Sequence, residues 1–270
     1  MYSYHYVRGQ DSLTTIHPQA LVDPKAELAD DVEVGPFAII GPEVTIGTGT
    51  VVGPHAILKG PTTIGAGNRI FQFASVGEDC QDKKYKGERT ELVIGDNNVI
   101  REGATLHRGT AQDRGITKIG SNNLLMCYVH VAHDCVIGDN IIMANNTAVA
   151  GHVHVGDGAI LGGGTLVHQF CRIGQFAMTA AGTVVLQDIP AFVTCSGNRA
   201  EAHGMNVEGM RRRGVDSDAI NRLREAYKTV YRRGLTLDQA IAELGQNHVG
   251  CPEVDTFLDS LKSSQRGIVR

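Results

Sequence analysis

A period of six residues is the feature that most constrains how this chain can fold. From Ile16 an aliphatic residue returns at every sixth position, through eleven unbroken hexads to Gln81. Three further hexads cover residues 94–111, and twelve more run from Ile119 to Pro190. Neither an α-helix nor an ordinary β-strand has this period. A parallel β-helix does, because one aliphatic residue per short strand fills its core and a small residue lets the chain turn at each corner.

Two segments interrupt the hexads. In residues 82–93 the hexad register would place Asp82 and Glu88 in the core, where an unpaired charge is costly. Residues 112–118 are seven long and shift the register by one. Both segments are therefore predicted to be external loops, and loops on a rigid scaffold often carry function.

The hexads stop near residue 196, where the pattern changes to that of helices. We predict a β-helix over residues 1–196 and an α-helical C-terminal domain over residues 197–270. The helix signals are, in order, a cap at Ser217 or Asp218 with a stop at Gly234, a capping box formed by Thr236 and Gln239, and a helix over residues 252–263.

Composition argues against several classes of protein. The net charge of −4 disfavours general nucleic-acid binding. The six cysteines form no Cys-x-x-Cys pair and no dense framework, which predicts reduced thiols and a cytoplasmic location. The N-terminus lacks the apolar run of a signal peptide, and no segment has the ~20 apolar residues that span a bilayer.

The hexads have the form aliphatic-Gly-x-x-small-x, as in IGPEVT and VGPHAI. They resemble the repeats of the hexapeptide-repeat acyltransferases. This resemblance implies a left-handed parallel β-helix in which three hexads make one triangular coil of eighteen residues.

Two histidines and an aspartate lie close together in the stretch VHVAHDCVIGDN. In the hexad VAHDCV the third and fourth positions, His133 and Asp134, are expected to face outward, and so is His130 just before it. With eighteen residues per coil, Gly151 and then Gln169 are expected to stack on His133 at the ~4.8 Å spacing of paired strands.

This column suits acyl transfer. Histidine is the side chain best suited to general-base catalysis near neutral pH, and Asp134 can hold the imidazole of His133 in one tautomer. A glycine directly above the base leaves a backbone N–H accessible to a developing oxyanion. His152 and His168 flank the column. No serine or cysteine nucleophile is needed for this chemistry.

The resemblance becomes specific in segments that are spread over nearly the whole chain. QDKKYKGE, SNNLLMCYVHVAHDC, MANNTAVAGHV and GMNVEGMRRRG are similar to segments of the UDP-N-acetylglucosamine O-acyltransferases, the first enzymes of lipid A biosynthesis. This resemblance implies transfer of a 3-hydroxyacyl group from acyl carrier protein to the 3-position of UDP-N-acetylglucosamine. It also implies a homotrimer with the active site between subunits, and neither a cofactor nor a metal, since phosphopantetheine on the carrier protein holds the acyl group.

The resemblance assigns roles to single residues. His133 matches the catalytic base, with Asp134 beside it, and Gly151 matches the oxyanion donor. The substrate matches are Asp82, Lys84, His130 and His152 around the sugar, Gln169 and Arg213 at the diphosphate, and Asn206 and Glu208 at the uridine. Arg212 belongs to the cluster Arg211–Arg213, which is expected to meet anions of the nucleotide or of the carrier protein. The hypothetical docking surface for the carrier protein also includes Arg101, Arg108, Arg114 and Lys118.

Gly163 and Ala181 form a second column of small third-position residues, with Asn145 below them. Ala181 resembles the position that limits acyl-chain length in the family, where glycine admits a longer chain and methionine a shorter one. We therefore expect a chain at or slightly below the length that glycine-bearing relatives accept.

A γ-type carbonic anhydrase is the strongest alternative within this fold. Such a zinc lyase needs three histidines that meet between subunits, and His130, His133, His152 and His154 are candidates. The helical tail with NVEG and the QDKKYKGE loop favour the acyltransferase. The sequence leaves open whether the acceptor carries a 3-hydroxyl or a 3-amino group.

Overall fold

A computed structural model describes residues 14–247 and 250–270. Residues 1–13, which precede the first hexad at Ile16, lie outside the described residues. The strands are β1 (Thr15–Ile16), β2 (Leu21–Val22), β3 (Glu27–Leu28), β4 (Glu33–Val34), β5 (Ile39–Ile40), β6 (Val44–Ile46), β7 (Val51–Val52), β8 (Ile57–Leu58), β9 (Thr62–Ile64), β10 (Arg69–Ile70), β11 (Ser75–Glu78), β12 (Glu91–Ile94), β13 (Val99–Ile100), β14 (Thr105–His107), β15 (Ile116–Ile119), β16 (Leu124–Leu125), β17 (His130–Val131), β18 (Val136–Ile137), β19 (Ile142–Met143), β20 (Ala148–Val149), β21 (His154–Val155), β22 (Ile160–Leu161), β23 (Leu166–Val167), β24 (Arg172–Ile173), β25 (Met178–Thr179), β26 (Val184–Val185), β27 (Val193–Ser196) and β28 (Glu201–Met205). The helices are α1 (Val207–Arg212), α2 (Ser217–Arg232), α3 (Leu237–Asn247) and α4 (Pro252–Lys262).

Every third strand joins the same sheet, which produces three long sheets of parallel strands. Sheet A contains β1, β4, β7, β10, β13, β16, β19, β22, β25, β27 and an antiparallel β28. Sheet B contains β2, β5, β8, β11, β14, β17, β20, β23 and β26, and sheet C contains β3, β6, β9, β12, β15, β18, β21 and β24. Val131, Val149 and Val167 are consecutive partners in sheet B, so one coil has eighteen residues. The predicted parallel β-helix is confirmed.

Most hexads contribute one aliphatic residue to the core. Leu58, Ile100 and Val131 hold such positions and are fully buried. The small fifth-position residues Ala56 and Cys135 are buried as well, because each lies where the chain turns towards the next sheet. This packing leaves the third and fourth positions of a hexad to form the corners.

Both interruptions of the hexads leave the β-helix as loops. The first loop (residues 79–90) separates β11 from β12, and the second loop (residues 108–115) separates β14 from β15. Both loops end earlier than the predicted limits of 82–93 and 112–118.

The observed loop limits differ from the predicted ones because β12 and β15 have four residues each and pair with one another along their whole length. Leu92 and Thr117 are fully buried in this added ladder. Hexads counted back from the aliphatic residues Ile94 and Ile119 do not include these extra pairs.

The chain leaves the β-helix through the hairpin of β27 and β28, and the predicted boundary at 196/197 lies inside this hairpin. Asp216, rather than Ser217 or Asp218, caps α2 by accepting backbone N–H groups. The predicted capping box is present, because the Thr236 N–H and the Gln239 side chain are 3.0 Å apart and the reciprocal bond is 3.3 Å. None of the helices in the described residues is long and apolar enough to cross a bilayer.

Candidate active site

The predicted histidine column lies at the corner between sheets B and C. His133 follows β17, and the strand pairing places Gly151 and Gln169 at the same point of the next two coils. The His152 N–H donates to the His133 carbonyl at 3.0 Å, and the Phe170 N–H donates to the Gly151 carbonyl at 3.1 Å. The three residues therefore stack as the eighteen-residue period predicts.

Gly151 provides the space that the His133 ring occupies. A Cβ atom on Gly151 would lie 2.5 Å from Cε1 and 2.7 Å from Nε2 of that ring. Within the described part of the chain, the Gly151 N–H donates to no acceptor. Pro36 and Pro54 hold the third position of other hexads, where the fold needs no backbone donor. The corner thus leaves a free N–H beside the imidazole.

The Asp134 side chain meets the second loop outside the coil, as an outward-facing residue should, but it is buried and not exposed. The second loop covers it and leaves it 0% exposed. Its Oδ1 accepts the Thr110 N–H at 3.0 Å, and its Oδ2 accepts the Thr110 hydroxyl at 2.6 Å and lies 2.9 Å from His133 Nδ1. Burial raises the pKa of the Asp134 carboxyl, but the hydrogen bonds from His133 and Thr110 outweigh burial and hold that pKa below its usual value.

This arrangement fixes the state of His133. An ionised Asp134 accepts a hydrogen bond from the Nδ1–H of the imidazole, so the proton stays on Nδ1 and Nε2 is left as a proton acceptor. The His133 side chain is 15% exposed, so a substrate can reach it. It opens on a cleft of about 440 Å³ that is also lined by His107, His130, Gly151, Leu166 and Gln169.

His130 lines the same cleft as an uncharged side chain. The Thr105 hydroxyl lies 2.7 Å from His130 Nδ1, and the His107 ring is edge-on at 5.1 Å. Burial, together with the neighbouring charges of His107 and His133, lowers the pKa of His130 to about 4. Near neutral pH this residue offers a polar group without a charge.

A second cavity, of about 460 Å³, opens on the sheet C side of the column. Asp82 and Lys84 of the first loop line it, and the Asp82 carboxylate accepts the Lys84 N–H at 2.8 Å. His152 lines it as well, and its Nδ1 lies 2.8 Å from Oδ2 of Asp113 in the second loop. The predicted sugar-side residues therefore lie on both sides of His133.

Arg108 is a buried anchor and not a surface cation, so its inclusion in an exposed basic surface is wrong. Its guanidinium donates to the carbonyls of Gly60 at 2.9 Å and Gly77 at 2.6 Å, and it pairs with Asp79. Only 7% of the residue is exposed. It thereby ties the start of the first loop to the β-helix.

The residues matched to the nucleotide lie at another corner, between sheets C and A. Asn206 caps α1, and its Nδ2 donates to the Phe176 carbonyl at 3.0 Å. The Arg213 guanidinium lies 4.7 Å from the centre of the Phe176 ring. Glu208 and Arg212 form an exposed ion pair of 3.2 Å. Within one chain, sheet C separates this group from the histidine column, so one chain does not bring the two groups together.

Gly163 and Ala181 stack at the third corner, between sheets A and B. The Gly182 N–H donates to the Gly163 carbonyl, and the Gly164 N–H donates to the Asn145 carbonyl, both at 2.8 Å. Sheet B therefore lies between this column of small residues and the histidine column.

His133, Asp134 and His152 offer ligand atoms that lie within 4.8 Å of one another, a spacing that a metal ion would accept. Protein groups already engage them, because Thr110 and His133 bond the Asp134 carboxylate and Asp113 bonds His152. His130 and His154, which the zinc lyase alternative also uses, do not belong to this group. These hydrogen bonds account for the close approach of the three side chains.

The sequence-based interpretation missed Thr110 and Asp113. Thr110 is 24 positions from Asp134, and Asp113 is 39 positions from His152. Both lie in the second loop, whose path over the corner no hexad pattern defines. The segment HRGT, which contains Thr110, was the one available signal.

The hexads and this corner define a hexapeptide-repeat acyltransferase. The bacterial transferase hexapeptide model matches residues 116–151, and the model for domain 2 of UDP-N-acetylglucosamine O-acyltransferase matches residues 188–269. The acyl-[acyl-carrier-protein]–UDP-N-acetylglucosamine O-acyltransferase of Pseudomonas fluorescens strain Pf-5 is 62% identical over 258 residues, which is 96% of this chain and all of the relative. The enzyme of the same name from Pseudomonas syringae pv. syringae is also 62% identical over the same shares.

Solved structures of the same kind of acyltransferase also match this chain. LpxA from Acinetobacter baumannii is 54% identical, with a TM-score of 0.93 over 94% of this chain and 99% of its own. The UDP-N-acetylglucosamine acyltransferase of Arabidopsis is 39% identical, with a TM-score of 0.82 over 94% of this chain and 100% of its own. The chain belongs to the family of acyl-[acyl-carrier-protein]–UDP-N-acetylglucosamine O-acyltransferases.

Proposed function

We propose that this protein transfers a 3-hydroxyacyl group from acyl carrier protein to the 3-hydroxyl of UDP-N-acetylglucosamine, the first step of lipid A biosynthesis. The observation that carries the proposal is the pairing of His133 with a buried, ionised Asp134 beside the free N–H of Gly151. The names of the relatives support the choice of donor and acceptor.

The first step is proton removal from the acceptor. Nε2 of His133 takes the proton of the sugar 3-hydroxyl while the hydroxyl oxygen attacks the thioester carbonyl. Asp134 accepts from Nδ1 at 2.9 Å and stabilises the imidazolium that forms. The proton thus stays on His133 during the attack.

The second step is collapse of the tetrahedral intermediate. The Gly151 N–H is the group proposed to bind the oxyanion, because it lies beside the base and has no other acceptor in the described residues. The carbon–sulfur bond then breaks, and the departing thiolate takes the proton from His133. Neither a metal nor a cofactor takes part in this scheme, and phosphopantetheine leaves with the carrier protein as part of the substrate.

The proposed contacts beside the base are Asp82, Lys84, His130 and His152 to the sugar and Gln169 to the diphosphate. The proposed contacts of the second group are Asn206, Glu208, Arg212 and Arg213 to the nucleotide. The first group lines the two cavities beside His133, whereas the second lies beyond sheet C of the same chain. Because a single nucleotide sugar has to reach both groups, we propose that they come from adjacent subunits of a homotrimer.

An exposed apolar stripe supports the trimer. Leu21, Ile39 and Ile57 follow one another along the outer face of sheet B and are 65%, 40% and 37% exposed. Phe37 and Phe73 border this face and stack on His55 from either side. An apolar surface of this kind on a protein of the cytosol is typical of a subunit interface.

The proposed location is the cytoplasm, supported by six cysteines that all remain free thiols.

For docking of the acyl carrier protein, the exposed cations that remain from the predicted surface include Arg211, Arg212 and Lys118. If charge reversal of Arg211 and Lys118 leaves the KM for the acyl carrier protein unchanged at low salt, docking on this surface is wrong.

An assay with two acceptors tests the proposed function. The purified protein is incubated with a 3-hydroxyacyl carrier protein and either UDP-N-acetylglucosamine or its 3-amino analogue, and mass spectrometry detects the acylated nucleotide. We expect an ester on the 3-hydroxyl and much less amide on the analogue. Formation of amide only would indicate an N-acyltransferase. The absence of any acylated product would contradict acyl transfer.

A further inference from the structure

The second loop (residues 108–115) makes direct contact with the buried carboxylate of the site. Thr110 donates its N–H to one oxygen of Asp134 at 3.0 Å and its hydroxyl to the other at 2.6 Å. Asp134 itself has a φ of 58°, an uncommon conformation for a residue other than glycine. These two bonds hold the carboxylate in the orientation in which Oδ2 meets His133 Nδ1.

The same loop holds the neighbouring histidine. The Asp113 carboxylate lies 2.8 Å from His152 Nδ1. The His152 ring stacks on Phe170 at 4.4 Å and meets the His133 ring edge-on at 5.1 Å. Its Nε2 then lies 3.9 Å from the Asp134 carboxylate. Each of the two histidines therefore has its Nδ1 beside one carboxylate.

We infer that the second loop positions both cleft histidines, with Thr110 acting on His133 through Asp134 and with Asp113 acting directly on His152. The inference rests on the proposed function, in which His133 is the base and His152 contacts the sugar. Thr110 and Asp113 touch no reacting atom in this scheme, so both are positioning residues. The register break in the hexads thus supplies the support that the regular coils cannot provide.

The two residues are expected to affect different kinetic constants. Loss of the Thr110 hydroxyl removes one of the two hydrogen bonds to Oδ2 of Asp134 and loosens the hold on the base, which is needed in the transition state, so kcat falls. Loss of the Asp113 carboxylate frees the His152 ring, which is proposed to bind the sugar in the ground state, so the KM for UDP-N-acetylglucosamine rises.

The test uses two pairs of variants in the full chain. Thr110→Val keeps the shape but removes the hydroxyl, and Thr110→Ser keeps the hydroxyl. Asp113→Ala removes the acceptor, and Asp113→Asn keeps a neutral one. Thr50→Val is the matched control for Thr110, because Thr50 also donates a buried hydroxyl, to the Gly65 carbonyl at 2.9 Å in a distant coil. Asp31→Ala is the control for Asp113, because Asp31 accepts bonds from Thr48 and Gly49.

For Thr110→Val we expect kcat to fall about 10- to 100-fold at an unchanged KM, and Thr110→Ser to recover most of the loss. For Asp113→Ala we expect the KM for UDP-N-acetylglucosamine to rise about tenfold, with partial recovery in Asp113→Asn. The controls are expected to stay within about twofold of wild type. Equal losses in the Val and Ser variants, or unchanged constants in Thr110→Val and Asp113→Ala, would overturn the inference.

A readout without turnover separates this inference from the proposed function. Nitrogen-15 NMR of protein labelled at histidine reports which ring nitrogen carries the proton. We expect Nδ1 of His133 and of His152 to be protonated in wild type, and Asp113→Ala to change the His152 signal but not the His133 signal. An unchanged His152 signal would overturn the inference even if acyl transfer is observed. The same change in a protein that transfers no acyl group would keep the positioning role while the proposed function fails.

Discussion

His133 and Gly151 share one small volume at the corner of sheets B and C, so a larger residue at position 151 displaces the imidazole. In Gly151→Ala the added methyl would lie 2.5–3.1 Å from three atoms of the imidazole, and the ring has to move. We expect kcat to fall on the order of 100-fold, because a displacement of about 1 Å misaligns the base. Gly41→Ala is the control, since its nearest neighbour would be the Leu58 carbonyl oxygen at 3.4 Å.

Steady-state kinetics and thermal unfolding of both glycine variants check this prediction. Gly41→Ala is expected to keep the wild-type kcat. A wild-type kcat in Gly151→Ala would show that His133 does not need its present place.

His130 makes stability depend on pH. Burial lowers its pKa to about 4 in the folded protein, against about 6.5 in an unfolded chain. Between these values the unfolded state binds more protons at this residue, so the contribution of His130 to stability falls as the pH drops through this window and is constant above it. The loss is at most about 3 kcal/mol per chain by this linkage.

Urea unfolding of wild type and His130→Asn at about pH 7 and about pH 5 measures this effect. The drop in unfolding free energy between the two pH values is expected to be smaller in the variant. An equal drop in both proteins would assign the pH dependence to other groups.

At the scale of single residues, the sequence predicts only part of the site. The period of eighteen residues is enough to place Gly151 over His133, because strand pairing fixes the register. The period does not predict that Asp134 is buried, because the residues that cover Asp134 belong to the second loop, which lies outside the repeat. For the same reason the sequence does not predict that the Arg108 guanidinium is buried beside the first loop, where it pairs with Asp79.

Among the elements, the three corners of the β-helix differ in what they offer a ligand. The corner between sheets A and B carries the small residues Gly163 and Ala181. Among the described residues, a Cβ atom on Gly163 would meet the Asn145 carbonyl oxygen at 3.4 Å and the Ala144 Cβ at 4.0 Å and nothing nearer, so they leave the space outside this column open. An acyl chain along this column would end against whatever side chain residue 181 carries.

We therefore predict that Ala181→Gly shifts the preferred 3-hydroxyacyl chain towards greater length and that Ala181→Met shifts it to distinctly shorter chains. Each CH₂ group that cannot be buried costs about 0.8 kcal/mol, or roughly a fourfold loss in rate. Rates of the three proteins with a ladder of 3-hydroxyacyl carrier proteins measure the optimum. The same optimum in Ala181→Met and wild type would show that the chain ends elsewhere.

The regular elements follow from local sequence. The aliphatic hexads predict the coils, and Thr236 with Gln239 predicts the start of α3, since both signals act through neighbours along the chain. The limits of the two loops are less predictable, because the pairing of β12 with β15 joins segments on either side of a loop. The β27–β28 hairpin carries no hexad signal at all.

At the scale of the whole molecule, the proposed trimer predicts that the apolar stripe on sheet B is buried between subunits. Ile39→Lys would place a charge in this interface, and we expect it to dissociate the trimer of 28.9-kDa chains into monomers. Thr45→Lys is the matched control, because Thr45 is exposed on β6, the next strand along the chain, which belongs to sheet C and not to the apolar stripe. Sedimentation of the three proteins decides: a trimeric Ile39→Lys variant would contradict this interface.

The central claim is that His133 is the base of an acyl transfer to UDP-N-acetylglucosamine. The most direct test is the turnover of His133→Ala with saturating 3-hydroxyacyl carrier protein, beside a check that the variant sediments and unfolds as wild type does. General-base catalysis is worth about 10²- to 10⁴-fold, so we expect a loss of that size in a correctly folded protein. A folded His133→Ala variant that keeps more than about a tenth of the wild-type rate would contradict the role of His133 as the base.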